Sequence, residues 1–144
     1  MRNLIGNKWM DASNEKVIKV ENPATSDLID TIPDSTLEDV DLAVKEAKKA
    51  QVEWAKMPLH ERADILMKFK ELVYEERETL AILLSQETGK PIKEAQAEVA
   101  NVQIAIPAFV EKAKHLYGTV IPEGTEKGQE KHVQLVKNYP LGVV

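Results

Sequence analysis

The sequence contains no cysteine, which excludes disulfides, thiolate metal ligands and a thiolate nucleophile from these residues. Aromatic residues make up only 5% of it, and acidic residues outnumber basic ones, 24 to 19, for a formal net charge of −5. Without a basic stripe interleaved with aromatics, nothing draws the chain to nucleic acid or to an anionic membrane surface. No hydrophobic run approaches the roughly 20 residues of a membrane span. The N-terminus meets Arg2, Asn3, Asn7 and Lys8 too early to form the apolar region of a signal peptide, so a cytoplasmic location is expected. His60, His115 and His132 are far apart and form neither a paired i,i+4 set nor an HExxH arrangement. No zinc site is expected from them. Internal repeats and low-complexity tracts are absent as well.

What is present suits one ordinary globular domain: 144 residues, 43% hydrophobic and 30% charged, a balance with enough apolar side chains to build a core. The first part, residues 1–33, reads as short strands. Residues 4–10 and 16–23 flank the polar stretch 11–15 and suggest a hairpin, and a third strand at 28–33 follows the turn-prone Pro23-Ala24-Thr25-Ser26-Asp27.

Residues 34–118 read as helical. Leu37, Val40, Val44, Ala47 and Trp54 recur at helical spacing opposite Glu38, Asp41, Lys45 and Lys48. Ser35 with Glu38 fits an S-x-x-E capping box, and the helix should end near Lys56-Met57, ahead of Pro58. A second helix beginning at Pro58 carries Ala63, Leu66, Phe69, Leu72, Val73, Leu80, Leu83 and Leu84 on its apolar side. It is expected to break near 75–78 and to stop at Gly89. The adjacent Glu75 and Glu76 diverge too far on a helix to act as a carboxylate pair. A third helix starts near Pro91 and reaches Leu116, with Gly118 as terminator. Pro107 should kink it or split it, because an interior proline removes a backbone hydrogen bond at a cost of about 3 kcal/mol. Trp9 and Trp54 read as core residues.

Residues 119–137 combine a polar loop at 119–129 with an alternating strand at 131–137. Residues 138–144 end in Leu141-Gly142-Val143-Val144, which reads as the start of a buried strand. Such a strand needs neighbours on both edges, so the expectation is a longer parent chain. Three amphipathic helices with flanking strands would also permit a non-enzymatic binding or oligomerisation module.

Several segments, in order, resemble the aldehyde dehydrogenase superfamily: Ile5-Gly6-Asn7-Lys8-Trp9, Val20-Glu21-Asn22-Pro23-Ala24-Thr25, Ala50-Gln51-Val52-Glu53-Trp54 and Pro58-Leu59-His60-Glu61-Arg62-Ala63-Asp64-Ile65-Leu66. Glu87-Thr88-Gly89-Lys90-Pro91, Tyr117-Gly118 and Pro140-Leu141-Gly142-Val143-Val144 continue the series. Each is weak alone; together they cover nearly the whole chain. The resemblance implies the N-terminal portion of an α/β enzyme, with strands first, about three long helices, and one or more C-terminal strands. In the parent, a cysteine thiolate attacks an aldehyde, hydride passes to NAD or NADP, and activated water releases the acid.

The family's cysteine, general-base glutamate, oxyanion-hole asparagine and glycine-rich cofactor turn all follow the Pro-Leu-Gly-Val-Val stretch. No catalytic or cofactor-binding residue is therefore expected here, and no cofactor is expected to bind. Gly118, Gly124 and Gly128 have the wrong spacing for a pyrophosphate cradle. By the same resemblance the strand at 131–137 belongs to a bridging sheet used in homo-oligomer contacts, and the substrate is a small aldehyde of the semialdehyde or lactaldehyde branch.

Two further assignments come from the resemblance. Asn101, with Ala105 one turn on, occupies the side of the third helix that lines the aldehyde entrance; the competing reading is a solvated helical amide. Phosphate-handling relatives carry arginine at the Asn101 position, as bidentate anion recognition favours, so a phosphorylated aldehyde is not expected. Glu87 matches a carboxylate of a monovalent-cation site that also uses backbone near Val20, since hard cations prefer oxygen. Its competing reading is a solvated glutamate at a helix end.

Overall fold

The computed structural model describes residues 1–144. Its six strands and four helices run in the order β1 (Asn3–Ile5), β2 (Lys8–Met10), β3 (Val17–Glu21), β4 (Leu28–Pro33), α1 (Leu37–Lys56), α2 (Leu59–Glu75), α3 (Arg77–Thr88), α4 (Ile92–Lys114), β5 (Thr119–Ile121) and β6 (Gln134–Val136). The strands pair only as three separate antiparallel ribbons, β1 with β2, β3 with β4 and β5 with β6.

The hairpin expected between 4–10 and 16–23 is not formed. Residues 4–10 fold back on themselves instead, Leu4 opposite Trp9, because Gly6 and Asn7 both take positive φ, 56° and 62°. Two such residues make the tight turn whose twist matches a hairpin. β3 then pairs with the expected third strand, Val20 opposite Asp30. Between them Asn22 Oδ1 accepts from Ala24 N at 2.9 Å and closes an Asx turn.

α1 begins one residue later than the S-x-x-E reading places it. Thr36 is the N-cap and Asp39 its reciprocal partner. Asp39 Oδ2 accepts from Thr36 N at 2.8 Å, while Thr36 Oγ1 accepts from Asp39 N at 3.3 Å. Position 39 is favoured over Glu38 because its shorter carboxylate also reaches the preceding loop. Ser13 N donates to it at 3.1 Å and Ser13 Oγ at 3.2 Å. Asp39 is the single buried polar residue of the chain, and its hydrogen bonds satisfy it fully. Those backbone donors, Thr36 first and Ser13 second, hold its carboxyl below the ordinary value of 3.8.

α2 and α3 are separated at Glu76, as the charged run 75–78 suggests. α3 ends at Gly89, whose φ of 72° is left-handed. A Cβ there would lie 2.9 Å from Pro23 Cγ, so glycine also lets the end of α3 press on the turn between β3 and β4. Pro107 neither splits nor ends α4, which stays helical from Ile92 to Lys114. Packing against α2 and α3 holds it, and Gln103, four residues before the proline, donates through Nε2 to Lys70 O at 2.8 Å, tying that turn to α2. Gly118 is not the terminator, since His115 caps the helix. Instead Gly118 permits a close approach, because a Cβ there would collide with Val136 O.

The strand expected at 131–137 is reduced to 134–136, and its partner β5 lies within the stretch read as loop. Residues 138–144 form no strand. With no partner beside them, their backbone groups have no ladder to join, and Leu141 is exposed.

Only five of 144 residues are buried, and four of these are alanines: Ala12, Ala63, Ala81 and Ala95. The last three sit one each on α2, α3 and α4, where small side chains let helix axes approach. Trp9 and Trp54, expected in the core, are exposed, as are Leu66, Phe69 and Leu72. α1 makes its main packing contact with β1, and its Leu37, Val40 and Val44 are exposed.

Two mutational outcomes follow from the caps. Thr36→Ala should lower stability in urea by about 1 kcal/mol, whereas Glu38→Ala should change it by less than about 0.5 kcal/mol. Gly89→Ala should cost roughly 1–2 kcal/mol, the penalty of a Cβ in left-handed backbone. A pH dependence follows from Asp39. Its native pKa is depressed, so its contribution is complete at neutral pH and is lost as pH falls below 3.8 through the native value. Thermal melts should show Asp39→Asn less stable than the parent at pH 7, with the gap narrowing at pH 3.

Candidate functional site

Asn101 and Ala105 lie one turn apart on α4. They share the side away from the α2 and α3 contact, Asn101 exposed and Ala105 half-buried. Ile104 and Phe109 flank them, 72% and 73% exposed. The result is an apolar wall with one amide in it. It holds no titratable group and no nucleophile.

Glu87 is exposed in the last turn of α3. Val20 is in β3 opposite Asp30, its side chain half-buried. The contact between Gly89 and Pro23 brings these two elements to one side of the molecule. One carboxylate and one carbonyl are a small part of the several oxygens a hard cation takes. No group of three or more His, Asp or Glu side chains converges anywhere.

A cavity lies elsewhere. The break at Glu76 opens a space of about 350 Å³ against α4, lined by Tyr74, Arg77 and Glu78 on one side and Gln96, Val99 and Gln103 on the other. Arg77 covers the Tyr74 ring at 4.4 Å and donates through its Nη1 to Tyr74 O at 2.8 Å. Sequence reasoning missed this cavity, because a helix break facing a separate helix has no local signature.

A second cluster sits at the end of α4. His115 Nδ1 is 2.6 Å from Tyr117 Oη, and Nε2 is 3.1 Å from Glu111 Oε1. The i,i+4 spacing of Glu111 and His115 was the available signal. Hydrogen bonding from Lys114, then His115, lowers the Glu111 carboxyl. All three members of the cluster are exposed, which leaves the imidazole in water. The other displaced carboxyls also go down: Asp30 through the Thr31 backbone, Glu38 through its own backbone and then the Thr36 side chain, Glu46 through Lys49, and Glu130 through the Gly128 backbone. Each is held ionised, the reverse of what a general acid near neutrality needs.

Nor do the glycines make a dinucleotide cradle. Gly124 and Gly128 have nothing within 4 Å of a would-be Cβ, and Gly118 is pressed on β6. A phosphate loop instead brings glycine backbone onto the ligand at a helix N-terminus, and none of these three glycines precedes a helix. No helix is long and apolar enough to cross a membrane.

The model of the Aldehyde dehydrogenase family matches residues 9–144. Mitochondrial succinate-semialdehyde dehydrogenase of Oryza sativa subsp. japonica is 36% identical over 98% of this chain and 26% of its own length. The NADP(+) succinate-semialdehyde dehydrogenase of Escherichia coli (strain K12) is 34% identical over 97% of this chain and 28% of its own. Among solved structures, NADP-dependent glyceraldehyde-3-phosphate dehydrogenase from Bacillus halodurans C-125, complexed with NADP, superposes with a TM-score of 0.91 at 31% identity, covering 96% of this chain and 29% of that one. The chain thus spans between a quarter and a third of the length of these relatives, and it has the fold of their N-terminal portion. With the family model covering all but its first eight residues, the chain belongs to the aldehyde dehydrogenase family.

Proposed function

We propose that this chain is scaffold for an NAD(P)-dependent oxidation of a small, unphosphorylated semialdehyde to the acid. Its residues shape the enzyme rather than perform the chemistry. The observation that carries the NAD(P)-dependent oxidation is the close superposition on the NADP-dependent glyceraldehyde-3-phosphate dehydrogenase, over nearly all of this chain and 29% of the other; the substrate class rests on other grounds. The semialdehyde class is supported by the names of the curated relatives, succinate-semialdehyde dehydrogenases among them. Asn101 in place of a guanidinium supports the lack of a phosphate on the substrate.

Within this reading the α4 wall of Asn101, Ile104, Ala105 and Phe109 borders the aldehyde's path. The apolar surface receives the carbon chain, and the amide offers one donor and one acceptor to its polar end. The thiolate, general base and dinucleotide cradle come from outside this chain, whose cysteine count is zero. Glu87 and the Val20 carbonyl are proposed as two oxygens toward a monovalent cation. The β5–β6 ribbon, with Val120, Leu135 and Val136 exposed, is proposed as a contact element of a homo-oligomer.

Absorbance at 340 nm tests the division of labour. The 144-residue chain with succinate semialdehyde and NAD+ or NADP+ should give no reduced cofactor, and turnover by it would overturn the reading. In a polypeptide joining this chain to the complementary part of the E. coli relative, Asn101→Trp should raise KM for succinate semialdehyde roughly tenfold and change kcat less. An unchanged KM would remove Asn101 from the entrance.

A further inference from the structure

The end of α4 gathers three side chains that the proposed oxidation does not use. Glu111 and His115 stand one helical turn apart, where side chains at i and i+4 meet, and His115 Nε2 lies 3.1 Å from Glu111 Oε1. Both groups are also held from behind. Lys114 Nζ donates to the second carboxylate oxygen, Oε2, at 2.8 Å, and the second ring nitrogen of the imidazole, Nδ1, is 2.6 Å from Tyr117 Oη. The Tyr117 ring stands edge-on to the imidazole, with an interplanar angle of 85°. One nitrogen and one carboxylate oxygen are thereby left facing each other at the surface, with their side chains oriented by other groups.

We propose that Glu111 and His115 bind a divalent transition-metal ion of the zinc type through Oε1 and Nε2, with water completing its coordination. Distance is the first support. Two ligand atoms each about 2.0–2.2 Å from one zinc ion, at roughly the tetrahedral angle, stand about 3.1–3.5 Å apart. The observed 3.1 Å already meets that separation, so seating the ion takes a turn of the two side-chain ends and no change of backbone. Tyr117 is the second support. With Nε2 on the metal, Nδ1 carries the ring hydrogen and donates it to Tyr117 Oη, the kind of outer oxygen that orients a metal-bound histidine. Glu111 is ready as a ligand, because hydrogen bonds from Lys114 and then His115 hold its carboxyl below 4.5. The donor set selects the ion: imidazole suits zinc, copper and nickel, whereas magnesium and calcium take oxygen. The imidazole and the carboxylate are 53% and 60% exposed, which leaves room for the waters. Two protein ligands beside the Lys114 cation make a weaker site than the four-ligand cage of a structural zinc. The ion clasps the last turn of α4 and, through Tyr117, steadies the segment that leads into β5.

The site is independent of the proposed oxidation, and its test needs no aldehyde. Isothermal titration of zinc chloride into the untagged 144-residue chain at neutral pH should give one ion per chain, and magnesium chloride should give no heat of binding. His115→Ala and Glu111→Gln should each weaken zinc at least about tenfold, and Tyr117→Phe, which keeps both ligands, should weaken it about tenfold. His60→Ala and His132→Ala should leave the affinity unchanged, since neither histidine joins a larger cluster of ligands. All these side chains are exposed, so the helical circular dichroism of every variant should match the parent's. Zinc should raise the melting temperature of the parent, because a ligand of the native state stabilises it, and leave that of His115→Ala where it was. No heat with zinc, or an affinity that survives both His115→Ala and Glu111→Gln and so marks an ion held only adventitiously, would overturn the site. Tyr117→Phe binding zinc as well as the parent would overturn the orienting role of the phenol.

Discussion

Three alanines govern how this structure is built. Ala63, Ala81 and Ala95 lie one on each of α2, α3 and α4 and are among the few buried residues. Small side chains at these crossings let the backbones come close, while Val73, Val99 and Ile106 on the same helices are half-buried. Phe69, Leu72, Ile104 and Phe109 remain exposed. Most of the burial that usually opposes conformational entropy is not made within this chain, and that constraint underlies the functional reading.

The strand region is organised differently. Its anchor is the Asp39 carboxylate, which caps α1 and also collects Ser13 from the preceding loop. One side chain thus fixes the start of a 20-residue helix against the ribbons before it. Gly89 makes the corresponding join at the far end of α3, where a missing Cβ admits Pro23. These joins are local and geometric. The second stands just before α4, and α4 presents the wall that carries Asn101.

The sequence exposed those features whose causes are local. Pro58, the charged run at 75–78 and Gly89 marked helix limits because proline, clustered charge and left-handed glycine act on their own backbone. The misses share the opposite property. The turn at Gly6-Asn7 was hidden inside an apolar run that reads as a single strand. The N-cap shifted from Ser35 to Thr36 because the better carboxylate partner was decided by Ser13, 26 residues from Asp39. Pro107 does not split α4, where Gln103 ties the preceding turn to α2. Trp54, Phe69 and Leu72 lie on apolar stripes, as their spacing indicates, yet periodicity names an apolar side and does not say that this chain buries it. The proposed place of Asn101 and Ala105 at an entrance rests on family resemblance alone; an exposed amide on a helix has no chemistry that would single it out.

The central claim is that this chain folds with most of its large apolar side chains in water. The heat-capacity change of unfolding measures that most directly, because it scales with the apolar surface newly exposed. A normally packed chain of this length would give about 2 kcal/mol/K. Differential scanning calorimetry of the isolated chain, at concentrations where sedimentation finds a monomer, should give well under that value. A monomer showing the full heat-capacity change would mean that Phe69, Leu72, Ile104 and Phe109 are buried within the chain, and would contradict the account.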